Sequence, residues 1–278
     1  MTWRTVDVGW ADYDLFHGPA GLVLAGAARA ADTAVVAPAA RHLAGACDAA
    51  LSGLRAGTDV DPRSAFNVGR VNTGVGHGAA GVASALRHAA ETLDDGQQYL
   101  PALRRVCAWL LEQAYLTDDG LVTWPPVGRD GAPATGHADR RQAWCYGTPG
   151  VAWALLEAGR VLHDPDLRTL GTEAMASFCR VFDPDLHLEA HGSAEGLAVC
   201  HGAAGTLAVA DAFARHADLD AAAVLRASLL AHLARHADDV RAVAATDMTT
   251  LTGASGVVAT MLVAQGAARD HLPQLTLR

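Results

Sequence analysis

The apolar positions of this chain fall into five long stretches that all open alike. They are GLVLAGAARAAD (21–32), GVASALRHAAETL (81–93), GVAWALLEAGRVL (150–162), GTLAVADAFARHA (205–217) and GVVATMLVAQGAARD (256–270). Hydrophobic residues recur in them at three and four, which predicts helices buried on most of their surface. Between them lie stretches with charge on one side only, as in YLPALRRVCAWLLEQAYL (99–116). These predict amphipathic helices over roughly 38–55, 99–116, 166–181 and 220–236.

Each apolar stretch follows a glycine-rich turn of one form. The turns are YDLFHGPAGL (13–22), GVGHGAAGVA (74–83), AWCYGTPGVA (143–152), AVCHGAAGTL (198–207) and TTLTGASGVV (249–258). All contain G-x-x-G, with first glycines at Gly18, Gly78, Gly147, Gly202 and Gly253. The repeating unit is a turn, an apolar helix and an amphipathic helix. A ring of such units places apolar helices inside and amphipathic helices outside. The expectation is an all-α fold, an α/α toroid or incomplete barrel of about five helix-pair repeats, forming one domain over 1–278. If the inner helices run the same way, all five turns gather at one mouth. Residues just before each G-x-x-G then converge on one site, where helix N-termini favour anions and thiolates. The Pro- and Gly-rich connection 117–142 predicts a surface loop near that mouth, and the other insertions look short.

Composition narrows the function classes. Hydrophobic residues make up 51% of 278, enough for a sizeable core, and Ala runs suit close helix packing. The formal charge of −9 and the lack of a basic stripe argue against a nucleic-acid partner. Apolar runs break well before 18 residues, and the N-terminus lacks a signal peptide's apolar core. Five cysteines in a chain this long are no disulfide framework. The expectation is a cytoplasmic protein with reduced thiols.

The converging positions are Asp14 and His17 in turn one, His77 in turn two, and Arg141, Cys145 and Tyr146 in turn three. Turn four adds Cys200 and His201, and turn five Asp247 and Thr252. Turns three and four are neighbours in the ring, so Cys145 can meet Cys200 and His201. Two thiolates and an imidazole make a three-ligand zinc site with an open fourth position, as catalytic zinc requires. The bland reading is two buried cysteines. Cys47, Cys107 and Cys179 sit in apolar helical patterns and read as structural. His17 and Asp247 read as capping or pairing residues within their turns. His163, His187, His191, His216, His232 and His236 sit in polar segments and read as solvated.

The series YDLFHGPAG, GHGAAG, RQAWCYGTPG, CHGAAG and DMTTLTGASG resembles the lanthionine synthetase C-like (LanC) cyclases over about residues 13–260. The resemblance implies an α/α toroid with Zn2+ held by Cys145, Cys200 and His201. It implies further active-site positions at Asp14, His77, Arg141 and Tyr146. The implied activity adds peptide cysteine thiols to dehydroalanine or dehydrobutyrine, forming thioether rings in a lanthipeptide. The implied partners are a dehydrated precursor peptide and a dehydratase or other modification enzyme. The chemistry suits the residues: the addition needs a thiolate, a cation such as Arg141 to stabilise the enolate, and an acid such as His77 to protonate the α-carbon. Asp14 orients or tunes His77, helps accept the thiol proton, or caps the first inner helix. Tyr146 packs the zinc loop or takes part. The other readings are glutathione addition to dehydrated residues, or a non-catalytic scaffold. Family members usually carry about seven repeats, so five repeats, the shortfall lying before Asp14, imply an open toroid or one completed by a partner or another chain.

Overall fold

The computed structural model describes residues 2–27, 33–58, 67–130, 142–188 and 193–278. Five apolar helices form an arc: α1 (Pro19–Ala27), α3 (Ala79–Thr92), α5 (Thr148–Leu162), α9 (Ala203–His216) and α12 (Ala254–Ala264). Four amphipathic helices back the first four of them: α2 (Thr33–Ala46), α4 (Leu100–Gln113), α6 (Pro165–Val181) and α10 (Asp220–Arg235). Each of the first four inner helices packs on its outer partner, and successive inner helices pack on one another in the order α1, α3, α5, α9, α12. The division follows the sequence pattern. In α5, thirteen positions are buried, from Thr148 to Leu162. In α4, Leu103, Val106, Cys107 and Leu110 are buried while Arg104 and Arg105 face solvent. Burying each large side chain contributes about 1.5–3 kcal/mol, so the inner face of every outer helix holds it to the arc.

The G-x-x-G turns have a common steric cause. A Cβ on the second glycine would stand 2.1 Å from Leu15 O at Gly21, 2.1 Å from Val75 O at Gly81 and 1.9 Å from Trp144 O at Gly150. The same clash recurs at 1.8 Å with Val199 O at Gly205 and with Thr250 O at Gly256. Each inner helix thus starts with its own turn folded back against it, closer than any side chain allows.

Backbone hydrogen bonds stitch the turns together at one end of the arc. Leu15 N donates to Gly76 O (3.1 Å), Val75 N to Cys145 O (2.9 Å), Cys145 N to Cys200 O (3.4 Å) and Cys200 N to Leu251 O (2.9 Å). All five turns therefore meet at one mouth, as the repeat pattern predicts.

Several expectations need correction. The outer helix expected over 38–55 runs from Thr33 to Ala46. It stops because the Asp48 carboxylate accepts from Ala50 N (3.0 Å) and Ser52 N (2.9 Å), a local turn that competes with further helix. The connection expected as a surface loop over 117–142 is partly internal. Strands β1 (Tyr115–Leu116) and β2 (Val122–Thr123) form a small antiparallel hairpin. Leu121 and Trp124 are buried behind it, with Trp124 Nε1 donating to Leu110 O (2.8 Å). The connection between α6 and α9 carries two short helices, α7 (Pro184–His187) and α8 (Ala194–Leu197), and α11 (Ala237–Ala244) precedes turn five. His187 and His232 are buried, not solvated. His187 stacks on Phe182 and accepts from Asp183 N. His191 lies outside the described residues.

The fifth inner helix has no outer helix after it. Residues 265–278 instead run back across the arc to α1, which packs on a 3-10 turn at Leu272–Leu275. Trp144 Nε1 and Trp153 Nε1 donate to Leu275 O (2.8 Å) and Thr276 O (3.0 Å). Arg269 pairs with the buried Asp211 (2.6 Å), and Arg278 with the buried Glu157 (3.1 Å). Among the described residues, no helix is long and apolar enough to cross a membrane.

Candidate metal centre

The stitched turns align equivalent positions side by side. Two residues before the first glycine stand Phe16, Gly76, Cys145, Cys200 and Leu251. One residue before it stand His17, His77, Tyr146, His201 and Thr252. The two cysteines are thus neighbours because their turns are neighbours.

Cys145 Sγ and Cys200 Sγ lie 3.6 Å apart, and Cys200 Sγ lies 3.7 Å from His201 Nε2. The three donor atoms all fall within 4.8 Å of one another. A tetrahedral zinc with ordinary bond lengths requires edges of about 3.8 Å between two sulfurs and about 3.6 Å between sulfur and nitrogen. The sulfur–sulfur and Cys200–His201 separations match those edges, and Cys145 Sγ lies within 4.8 Å of the His201 donor, so the donor set fits Zn2+ in chemistry and on two of its three edges. The Cys200 thiol is held well below the usual thiol range, chiefly by its hydrogen bond with Cys145 and further by His201 and His77; burial opposes the shift. Burial instead pushes Cys47 and Cys107 up to about 12 and Cys179 up to about 11. Cys47 and Cys107 are buried in the core, as the sequence pattern predicts, and Cys179 is half-buried against it.

The surroundings brace the His201 ring. Its other nitrogen, His201 Nδ1, points toward Glu195 Oε1 at 3.7 Å, longer than a direct hydrogen bond. The Tyr146 ring lies nearly parallel to His201, with centroids 6.0 Å apart and planes at 11°. Glu195 carries no signal in the sequence: it sits in the four-residue helix α8, outside every repeat.

Turn two presents a different site. His77 Nδ1 hydrogen-bonds Asp14 Oδ2 at 2.7 Å. The other carboxylate oxygen, Asp14 Oδ1, accepts from His17 N (2.7 Å) and Gly18 N (2.9 Å). Asp14 therefore pins turn one and holds His77 at once. Its side chain is wholly buried, and the ring of His77 retains 18% exposure. Trp10 stacks on His77 with centroids 4.0 Å apart and planes at 19°. Phe16 meets the same ring edge-on at 4.9 Å. The imidazole is thus fixed by one hydrogen bond and two aromatic faces, and Nε2 has no hydrogen-bond partner among the described residues. Trp10 lies before the first repeat, where periodicity gave no reason to single it out.

The remaining candidates divide. Asp247 caps turn five: Oδ1 accepts from Thr249 N and Oδ2 from Thr252 Oγ1, each at 2.7 Å. His17 stays exposed, 3.8 Å from Asp14. Arg141 lies outside the described residues.

The model for lanthionine synthetase C-like proteins matches residues 4–277. Comparison with curated proteins by sequence finds no match. Among solved structures, a nisin cyclase shares the fold with a TM-score of 0.80, covering 99% of this chain and 69% of its own at 18% identity. A family match over nearly every residue, on an arc of helices whose turns bring two thiols and an imidazole together, places this chain in the lanthionine synthetase C-like family.

Proposed function

We propose that this protein is a zinc-dependent cyclase that joins a peptide cysteine to a dehydroalanine or dehydrobutyrine of the same peptide. The observation that carries the reading is the cluster of Cys145, Cys200 and His201, one turn away from a histidine with its own carboxylate. Cys145, Cys200 and His201 would hold Zn2+, which when bound would supply a Lewis acid that lowers the pKa of a substrate thiol.

The chain's own residues supply the rest. In the addition, sulfur bonds the β-carbon, the carbon–carbon π pair moves toward the carbonyl, and a proton must reach the α-carbon. His77 suits that proton delivery: Asp14 fixes the tautomer through Nδ1, so Nε2 is the nitrogen left to exchange a proton. Asp14 has both oxygens engaged and acts through His77, not as a free base. Tyr146 holds the His201 ring in its plane. Arg141 is assigned to the developing enolate charge by its place before turn three.

The test is incubation of the zinc-loaded protein, in the presence of glutathione, with a peptide carrying one cysteine and one dehydroalanine. The expected product has lost its free thiol without change of mass. A product gaining the mass of added glutathione, or a peptide left unchanged, contradicts the reading.

A further inference from the structure

Between turns one and five the arc does not close with a helix, and a cleft of about 620 Å3 opens at the mouth. Its walls are Phe16, Leu22 and Ala25 on one side and Leu251 on the other, with Trp144 and Leu275 at its floor. That volume is typical of a built ligand site. The polar groups on its lining are neutral or weakly basic: His17, whose side chain is 72% exposed, Thr250 and Gln274. Among the described residues, no carboxylate, lysine or arginine lines it.

The cleft adjoins the metal centre through Phe16 and Leu251, without the three donors lining it. Phe16 and Leu251 occupy the turn position that Cys145 and Cys200 hold in turns three and four. The Leu251 carbonyl accepts from Cys200 N, and the far face of the cleft, Phe16, packs on His77. One row of equivalent positions therefore runs apolar, empty, thiol, thiol, apolar across the mouth.

We propose that this cleft binds uncharged apolar side chains, of the leucine and phenylalanine class, that neighbour the reacting cysteine of the peptide substrate. The inference rests on the reading that the metal centre acts on a peptide thiol. A peptide with its cysteine at Cys145 and Cys200 lays its flanking residues along the same row and into the cleft. Charged flanking residues are disfavoured, because nothing there compensates their desolvation.

The test uses two dye-labelled octapeptides with one central cysteine and no dehydrated residue, flanked by Leu and Phe or by Ser and Asn. Anisotropy with the zinc-loaded protein should show the apolar peptide binding at least about tenfold tighter, the least that burial of one such side chain supplies. Leu22→Asp and Ala25→Trp should each erase that preference while zinc content stays unchanged. Equal binding of both peptides to the unaltered protein overturns the proposal, whether or not the variants fold. Variants that change only the protein's own sedimentation also overturn it, since the cleft is then a contact between copies. A preference that persists in a protein without thiol-addition activity upholds the cleft and rejects the reading it rests on.

Discussion

Turns two and four read GHGAAG (76–81) and CHGAAG (200–205) and differ in one residue, yet their histidines have different partners. In turn four the cysteine faces the thiol of turn three, and His201 completes the donor set through Nε2. In turn two a side chain has nowhere to go. A Cβ at Gly76 would stand 2.9 Å from the Phe16 ring and 3.5 Å from Cys145 Cβ. The space a thiol would take is filled by Phe16, which also holds His77 edge-on. The histidine of turn two hydrogen-bonds Asp14 instead, with no sulfur beside it in its own turn. On the proposed function, the difference between metal ligand and proton donor is set by what the neighbouring turn contributes at one position.

That comparison can be broken in several ways. The largest effect is expected from Cys145→Ala or Cys200→Ala. Either leaves two donors, so zinc measured in the purified protein should fall from about one per chain to near none and ring formation should cease. Asp14→Asn should slow ring formation by about a hundredfold while zinc is retained, since it removes the charge that fixes and supports His77. A loss of zinc in that variant would show the two turns to be one unit. Gly76→Cys restores the CHGAAG form in turn two and should lower unfolding stability by about 1–3 kcal/mol through overpacking against Phe16, without adding a second metal. A smaller effect is expected in the metal-free protein. The Cys200 pKa is lowered, so its thiolate exists below the pH at which ordinary thiols ionise. At pH 7 iodoacetamide should label Cys200 ahead of Cys47 and Cys107, whose pKa values are pushed up to about 12. Stability linked to that thiolate is present above the unfolded thiol's pKa and fades as pH falls through the lowered one.

The architecture was legible because every repeat needs the same second glycine, and the same carbonyl clash enforces it five times. The donor set was legible for the same reason: equivalent positions in adjacent turns must be neighbours. What the pattern could not reveal lies outside the repeats. Trp10 and Glu195 reach the site from irregular segments with no period of their own. The end of the arc was equally hidden. The apolar stretch 256–270 read as one helix, yet α12 ends at Ala264, and 265–278 span from α12 to α1, where Trp144 and Trp153 offer buried donors to their carbonyls. The outer helix expected over 38–55 ends at Ala46 because one aspartate, Asp48, captures the backbone after it.

The central claim is that metal and proton donor occupy separate turns and can be separated. The most direct test measures zinc content and ring formation together in His77→Asn. The account predicts unchanged zinc, about one per chain as the donor set requires, with ring formation slowed by about 10² to 10⁴. Zinc lost together with activity, or activity retained at the unaltered rate, would contradict it.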